Sequence, residues 1–228
     1  MPGSLGDRLD SLTPEILALG ITYYVVLLFS LSVHESAHAW MALQMGDDTA
    51  ARQGRITLNP LAHIDLVGTV VIPLVQILWG GVPLLAWAKP TPVAGHNLRR
   101  LARGHVLVAG AGPLSNLLLA LVFTLALFVS VRTPASGVDP LIRLLETGVY
   151  MNVLLAIFNL VPLPPLDGSW VASWGLPRSL GERYDRVVEP YGQWILLALF
   201  ATGLLGRAVS PFIRSLSGFL FQLAGFRH

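Results

Sequence analysis

The apolar residues of this chain are gathered into long segments that polar, turn-rich stretches separate. The three most continuous segments cover residues 16–46, 106–131 and 140–160. A helix needs about 20 predominantly apolar residues to cross the hydrocarbon core of a bilayer. We therefore predict three transmembrane helices. The first of them begins at Thr13-Pro14-Glu15, a capping hydroxyl followed by a first-turn proline and a first-turn acid.

The other apolar segments are less regular. Segment 67–86 contains Pro73 and Pro83, so it either crosses the membrane or enters it and returns as a broken helix or hairpin. Segments 193–205 and 212–223 form either a short hairpin or one bent span. The hydrophobic pattern alone does not distinguish between these alternatives.

Composition supports a membrane protein. The chain has 228 residues, of which 54% are hydrophobic and 12% are charged, whereas soluble domains carry about twice that charged share. The simplest organisation is one membrane-embedded domain over 1–228, with a core of about 14–168 and C-terminal helices in 169–228. The net charge of +2 is spread over loops, so we expect the lipid bilayer and not a nucleic acid as its surroundings.

The first apolar segment carries the pattern His34-Glu35-Ser36-Ala37-His38. Ionisable side chains at bilayer depth are costly and usually functional. On a helix, His34 and His38 lie one turn apart on the same face. Neutral imidazoles at this spacing can bind one Zn²⁺, while Glu35 activates a bound water. The alternative is a pair of histidines that only pack between helices.

A catalytic zinc needs a third protein ligand, and the chain has no cysteine to supply it. Asp167 is the best candidate, because it follows a proline-broken helix end and precedes Gly168; otherwise it is a helix cap or turn residue. Asn116 and Asn159 are predicted to hydrogen-bond the oxyanion or the substrate backbone. Their alternative roles are interhelical hydrogen bonding for Asn116 and capping of the broken helix for Asn159.

Loop charge predicts the orientation, since basic residues collect on the cytoplasmic side. With the N-terminus outside, the outer segments keep mainly Arg8 and Arg132. The cytoplasmic segments then hold most of the basic residues: Arg52, Arg55, Lys89, Arg99, Arg100, Arg103, Arg178, Arg183 and Arg186. This orientation brings His34, His38 and Asp167 to one depth near the cytoplasmic face of the cell membrane.

Taken together, these motifs make the chain resemble the site-2 protease family of intramembrane zinc metalloproteases, in its compact prokaryotic branch without PDZ or CBS domain. The resemblance covers about 32–168. It rests on six motifs: His34 to Ala39, Leu58-Asn59-Pro60, His63-Ile64-Asp65, Trp87-Ala88-Lys89-Pro90, Gly112-Pro113-Leu114-Ser115-Asn116 and Asn159 to Gly168. Two positions depart from the usual pattern, Ser36 in place of a larger apolar residue and Ala86 in place of a glycine.

The resemblance implies a fold class and a site. The fold is an all-α polytopic membrane protein with a core of three transmembrane helices, a re-entrant hairpin or strand region within 67–93, and one or two C-terminal transmembrane helices. One zinc per chain is held by His34, His38 and Asp167, with Glu35 as the catalytic base. We expect Trp87, Lys89 and Pro90 to lie in an extended segment that pairs with an unwound substrate.

The expected reaction is hydrolysis of peptide bonds in or near the transmembrane segment of a substrate. That substrate is a single-span membrane protein or the remnant of a signal peptide. Two alternatives remain: a catalytically silent zinc-binding protein that holds transmembrane helices, and a metal transporter. The carboxylate of Glu35 has no use in the first, and a transporter would need polar residues on both sides of the site.

Overall fold

Three long apolar helices form the centre of the computed structural model, which describes residues 13–79, 81–133 and 139–226. Arg8, one of the basic residues predicted for the outer segments, lies outside the described residues. The helices are α1 Pro14–Gln44, α2 Thr49–Arg52, α3 Leu66–Leu78, α4 Leu101–Ser130, α5 Asp139–Asn159, α6 Asp167–Gly175, α7 Arg178–Val188, α8 Gly192–Ala201 and α9 Leu204–Ala224. Helices α1, α4 and α5 are long and apolar enough to cross a membrane, which confirms the three predicted spans.

The three long helices pack against one another around a small-residue seam. Helix α4 contacts both α1 and α5, and α1 also contacts α5. Gly148 on α5 lets the ring of Phe123 on α4 approach so closely that a Cβ atom there would lie 2.5 Å from ring carbons. In a membrane, where lipid is as apolar as the protein, such close packing is what holds helices together.

Helix α3 and the segment after it form a re-entrant unit. Helix α3 has 13 residues, too few for a straight crossing of the bilayer. The chain then folds back: the Trp87 amide donates to the Gly68 carbonyl at 3.3 Å, and the Gln76 side chain bonds the backbone of Leu85. Segment 67–86 therefore folds back on itself and is not one continuous spanning helix. Residues 81–94 belong to no helix, and the described residues include no strand. After a tight turn in which the Leu84 amide donates to the Val82 carbonyl, residues 85–94 form what we call the extended segment.

The C-terminal helices form a bent pair. Helices α8 and α9 meet at 80°, and the turn between them is made by Gly203 in the left-handed region, with φ of +70°. Gly192 at the start of α8 packs on Pro164, just beyond the end of α5. At the other end of α9, the Ala224 carbonyl accepts from Arg132, just beyond the end of α4. The pair thus runs from one end of the bundle to the other, which favours a bent span over a hairpin.

Two buried charged residues fix the extended segment to the end of α1. Arg55 is 4% exposed, and its guanidinium donates to the carbonyls of Ala62, Lys89 and Pro90. Asp47 accepts from the Ala94 amide at 2.7 Å. Although its burial opposes ionisation, the hydrogen bonds donated to Asp47 lower the pKa of its carboxyl below the ordinary value. These contacts determine where residues 87–94 lie relative to α1.

Candidate metal centre

The side chains of His34, His38 and Asp167 converge on one point between α1 and the start of α6. The Nε2 atoms of the two histidines are 3.0 Å apart. Asp167 Oδ2 lies 3.1 Å from His34 Nε2, and Asp167 Oδ1 lies 3.4 Å from His38 Nε2. Both histidines are buried. Residues more than 120 positions apart in the sequence therefore present three ligand atoms to one small volume.

The second nitrogen of each imidazole fixes its tautomer. His34 Nδ1 lies 2.6 Å from Asn116 Oδ1, and His38 Nδ1 lies 2.7 Å from the Val108 carbonyl. Both partners are acceptors, so both Nδ1 atoms carry the proton and donate. The Nε2 atoms are then left with lone pairs that point at each other and at Asp167. This is the orientation in which a histidine binds a metal.

A closed hydrogen-bond network holds the Asn116 amide in the orientation that His34 needs. Asn116 Nδ2 donates to Asn152 Oδ1 at 2.9 Å. Asn152 Nδ2 donates in turn to Ser30 Oγ at 2.9 Å and to the Gly148 carbonyl at 2.9 Å. Because each amide nitrogen has acceptors, each amide oxygen is free to accept. The network links α1, α4 and α5 behind His34, His38 and Asp167, which we call the metal group.

The arrangement fits a divalent cation. Two ligands at about 2.0–2.1 Å from one tetrahedral zinc are about 3.3–3.4 Å apart, close to the three separations found here. Without a cation, two lone pairs and a carboxylate at these distances repel one another. Asp167 Oδ2 is buried and lacks a hydrogen-bond donor among the described residues. Two imidazoles and a carboxylate without thiolate form a donor set that zinc accepts.

Gly112 forms the wall of the site on the side of α4. A Cβ atom at this position would lie 2.4 Å from His38 Nε2 and 2.6 Å from His34 Nε2. Such an atom would occupy the space that faces the ligand nitrogens. One turn of α4 therefore needs a glycine here, whereas a Cβ at Gly110 would meet nothing within 4 Å.

Glu35 lies beside the metal group and is held by the extended segment. Its Oε2 accepts from the Thr91 amide at 2.9 Å and from the Thr91 hydroxyl at 2.8 Å. The side chain is partly exposed and lines the same cleft as His34, His38 and Asp167. A carboxylate next to a metal group and open to a cleft can accept a proton from water.

The cleft has a volume of about 840 Å³ and contains the metal group in its wall. The extended segment forms one side and α8 contributes to the other. Beyond the metal group and Glu35, its wall includes Ala86, Trp87, Ala88, Pro90, Asn159 and Gln193. A cleft of this size accommodates a short length of extended peptide.

The residues predicted from the sequence fall into two groups. Trp87, Pro90 and Asn159 line the cleft. The Lys89 side chain is exposed, and the Lys89 amide donates to the His63 carbonyl. Asn116 is fully buried and contacts His34 from behind, so its side chain is placed to position a ligand and not to meet an oxyanion. The oxyanion role of Asn159 stays a prediction.

Sequence reasoning missed Thr91 and Asn152. Nothing in the pattern around Thr91 distinguishes a hydroxyl that reaches the base from an ordinary loop residue. Asn152 did carry a signal, since an amide in the middle of an apolar span needs a partner there. Its spacing from Asn116 across two helices becomes visible only when the helices are packed.

Comparison with known proteins identifies relatives. "Putative zinc metalloprotease YwhC" of Bacillus subtilis is 35% identical over 199 residues, which cover 84% of this chain and 85% of that protein. "Putative zinc metalloprotease Rip2" of Mycolicibacterium smegmatis is 31% identical over 79% of this chain and 66% of that protein. The Rip2 protein of Mycobacterium tuberculosis is 29% identical over 88% and 73%. No family model and no solved structure matches the chain.

These relatives share a zinc metalloprotease name. This chain has helices long and apolar enough to span a membrane, and one of them contributes His34 and His38 to a group of three candidate metal ligands. The similarity to YwhC extends over most of both chains. The chain therefore belongs to the site-2 protease family and is a zinc metalloprotease.

Proposed function

We propose that this metalloprotease is an intramembrane endopeptidase that cleaves peptide bonds in or near the transmembrane segments of membrane proteins. The observation that carries the proposal is the position of the metal group. His34 and His38 lie inside α1, a helix long and apolar enough to span, and both face a cleft together with Glu35. A protease that acted only on soluble peptides would have no reason to keep these groups at bilayer depth.

The site lies toward one membrane face. His34 is 20 residues from the start of α1 at Pro14, a distance of about 30 Å along a helix. The loops at this end of the bundle carry most of the basic residues, so we place the active site near the cytoplasmic side of the cell membrane. We propose one zinc per chain, with His34, His38 and Asp167 as its ligands.

The protein's own groups then have separate tasks in the reaction. Zinc, when bound, lowers the pKa of water and polarises the scissile carbonyl. Glu35 accepts the proton of the attacking water and returns it to the leaving amine, so the peptide bond is exchanged for a carboxylic acid and an amine. Asn116 and Val108 keep each imidazole in the required tautomer, and Asp167 supplies the carboxylate ligand.

The extended segment has one edge that is occupied by the protein. In an extended chain, successive amides point to opposite edges. Every second backbone amide from 85 to 91 donates a hydrogen bond to another part of the chain, at 2.8–3.3 Å. The acceptors are the Gln76 side chain for Leu85, the Gly68 carbonyl for Trp87, the His63 carbonyl for Lys89 and the Glu35 carboxylate for Thr91. This edge is therefore closed to a substrate.

The opposite edge supports substrate binding. Among the described residues, the amides of Ala86 and Ala88 have no partner, and Pro90 and Pro92 have no amide hydrogen. We infer that an unwound stretch of a single-span membrane protein or a signal-peptide remnant pairs with Ala86 and Ala88 as an added strand. Because the prolines cannot donate, only a short stretch of this edge can pair with an added strand, which limits pairing with other chains.

The two alternative functions are less well supported. A holdase, that is, a catalytically silent zinc-binding protein that holds transmembrane helices, would not need the Glu35 carboxylate in the cleft. A transporter would need polar groups that line a path beyond the site, whereas Asn116 and Asn152 are fully buried and are hydrogen-bonded to each other. The two asparagines hold the His34 side chain in place and do not line a path for ions.

The first prediction concerns the base. In detergent, purified protein should cleave a single-span peptide in a zinc-dependent manner, and Glu35→Gln should lower kcat by about 10²–10⁴-fold, because a general base is removed. Zinc content, measured by plasma mass spectrometry, should stay near one per chain. Binding of the peptide without products would select the holdase, and zinc flux in liposomes without cleavage would select the transporter.

The second prediction concerns the wall of the metal site. Gly112→Ala should remove most of the bound zinc, because the added Cβ would lie within 2.6 Å of both ligand nitrogens. Gly110→Ala is the matched control in the same helix and should keep zinc, since its Cβ meets nothing within 4 Å. Equal zinc content in the two folded variants would show that the ion is bound elsewhere.

The third prediction concerns the substrate. N-methylation of single substrate amides, one position at a time on either side of the scissile bond, should lower kcat/KM at alternate positions only. The expected loss is about fivefold to tenfold for each lost hydrogen bond. The intervening positions serve as controls. A substrate that binds as a helix or without strand pairing would show no period of two.

A further inference from the structure

We propose that Thr91 is the positioning residue of the catalytic base, and that its hydroxyl and amide together hold Glu35 in the orientation that hydrolysis needs. The inference rests on the proposed function, because it assigns a task within that reaction. It concerns a residue that lies in the extended segment and not on a helix that carries the metal group.

The contacts of Thr91 define the position of one carboxylate oxygen. Glu35 Oε2 lies 2.9 Å from the Thr91 amide nitrogen and 2.8 Å from Thr91 Oγ1. Thr91 Oγ1 is also 3.0 Å from the Glu35 carbonyl. The hydroxyl has one proton, and the charged oxygen is the stronger and nearer acceptor. Oε2 is thus held by two donors.

The other oxygen is left for the reaction. Among the described residues, Oε1 of Glu35 has no donor, and the side chain lines the cleft. A carboxylate held at one oxygen cannot rotate freely about its terminal bond, so the second oxygen keeps one direction. Fixing a reacting group before the substrate arrives removes an entropy cost from the chemical step.

The backbone that presents Thr91 is itself held firmly. Arg55 donates to the carbonyls of Lys89 and Pro90 at 3.0 Å and 2.6 Å, and the Lys89 amide donates to the His63 carbonyl at 2.8 Å. Prolines on both sides of Thr91 restrict its neighbours further. Thr91 therefore acts as a fixed point from which the Glu35 side chain is positioned.

A purely structural role would be different. A threonine that only joined the segment to α1 would matter for folding, for zinc binding or for KM. A positioning residue affects kcat alone. Thr91→Val separates these roles, because valine has nearly the same shape and keeps the amide but lacks the hydroxyl. Thr91→Ser restores the hydroxyl.

The test compares zinc-loaded wild type with Thr91→Val, Thr91→Ser and Thr124→Val. Thr124 is buried in α4, where its hydroxyl donates to the Ala120 carbonyl and has no other partner in the described part of the chain, so this variant is a matched control. We expect Thr91→Val to lower kcat about tenfold with KM and zinc content within twofold of wild type. Thr91→Ser should recover at least half of the lost kcat, and Thr124→Val should match wild type.

The contact is also measurable without turnover. Because Pro90 and Pro92 have no amide hydrogen, hydrogen exchange at Thr91 is separated from that of its neighbours. Exchange at Thr91 should become faster in Glu35→Ala, which lacks an acceptor, and stay slow in Glu35→Gln, which keeps one. Exchange at the wild-type rate in Glu35→Ala would show that the Thr91 amide does not bond this carboxylate.

The outcomes distinguish the two proposals. If wild type cleaves but Thr91→Val keeps its kcat, loses zinc or changes only KM, or if Thr91→Ser does not recover activity, the assignment of Thr91 is wrong and the proposed function stands. If wild type shows no zinc-dependent cleavage, the proposed function is wrong, and the exchange measurement still decides whether Thr91 holds Glu35.

Discussion

The structure depends on one constraint: polar atoms buried between apolar helices must be satisfied by other protein atoms. His34 meets this requirement through Asn116, which is held by Asn152, which is held in turn by Ser30. Asn116 and Asn152 each accept from one neighbour through the amide oxygen and donate to the next through the amide nitrogen. The network joins all three long helices and leaves the His34 Nε2 lone pair free of protein donors. Among the described residues, Asp167 Oδ2 is also buried without a donor, and both atoms point at the metal site.

The parts of the site come from different elements, each for a physical reason. Helix α1 carries the two proposed histidine ligands and the proposed base, all of which line one cleft. Helix α4 has no room for a side chain at Gly112, because this position faces the Nε2 atoms of His34 and His38 directly. The turn into α6 requires Gly168, where a Cβ would lie 2.3 Å from the Leu160 carbonyl oxygen, and this tight turn brings Asp167 to the histidines. The re-entrant unit adds Thr91 and the extended edge without a further crossing of the membrane.

Much of this was accessible from the sequence, because the strongest signals were local or exceptional. Apolar length predicted the three spans, helical spacing put His34 and His38 on one face, and the absence of cysteine directed attention to Asp167. What escaped prediction depends on packing between distant segments. Whether segment 67–86 spans or returns is decided by backbone contacts such as that between Trp87 and Gly68. The placement of Asn116 behind His34 follows from helix rotation, which the hydrophobic pattern does not specify.

The central claim is that His34, His38 and Asp167 hold one zinc ion beneath the membrane surface. Anomalous X-ray diffraction at the zinc edge, on crystals of protein that cleaves a single-span peptide, tests it most directly. The account predicts a single strong peak bounded by Nε2 of both histidines and the carboxylate of Asp167. A peak at other side chains, or none between these three in an active preparation, would contradict it.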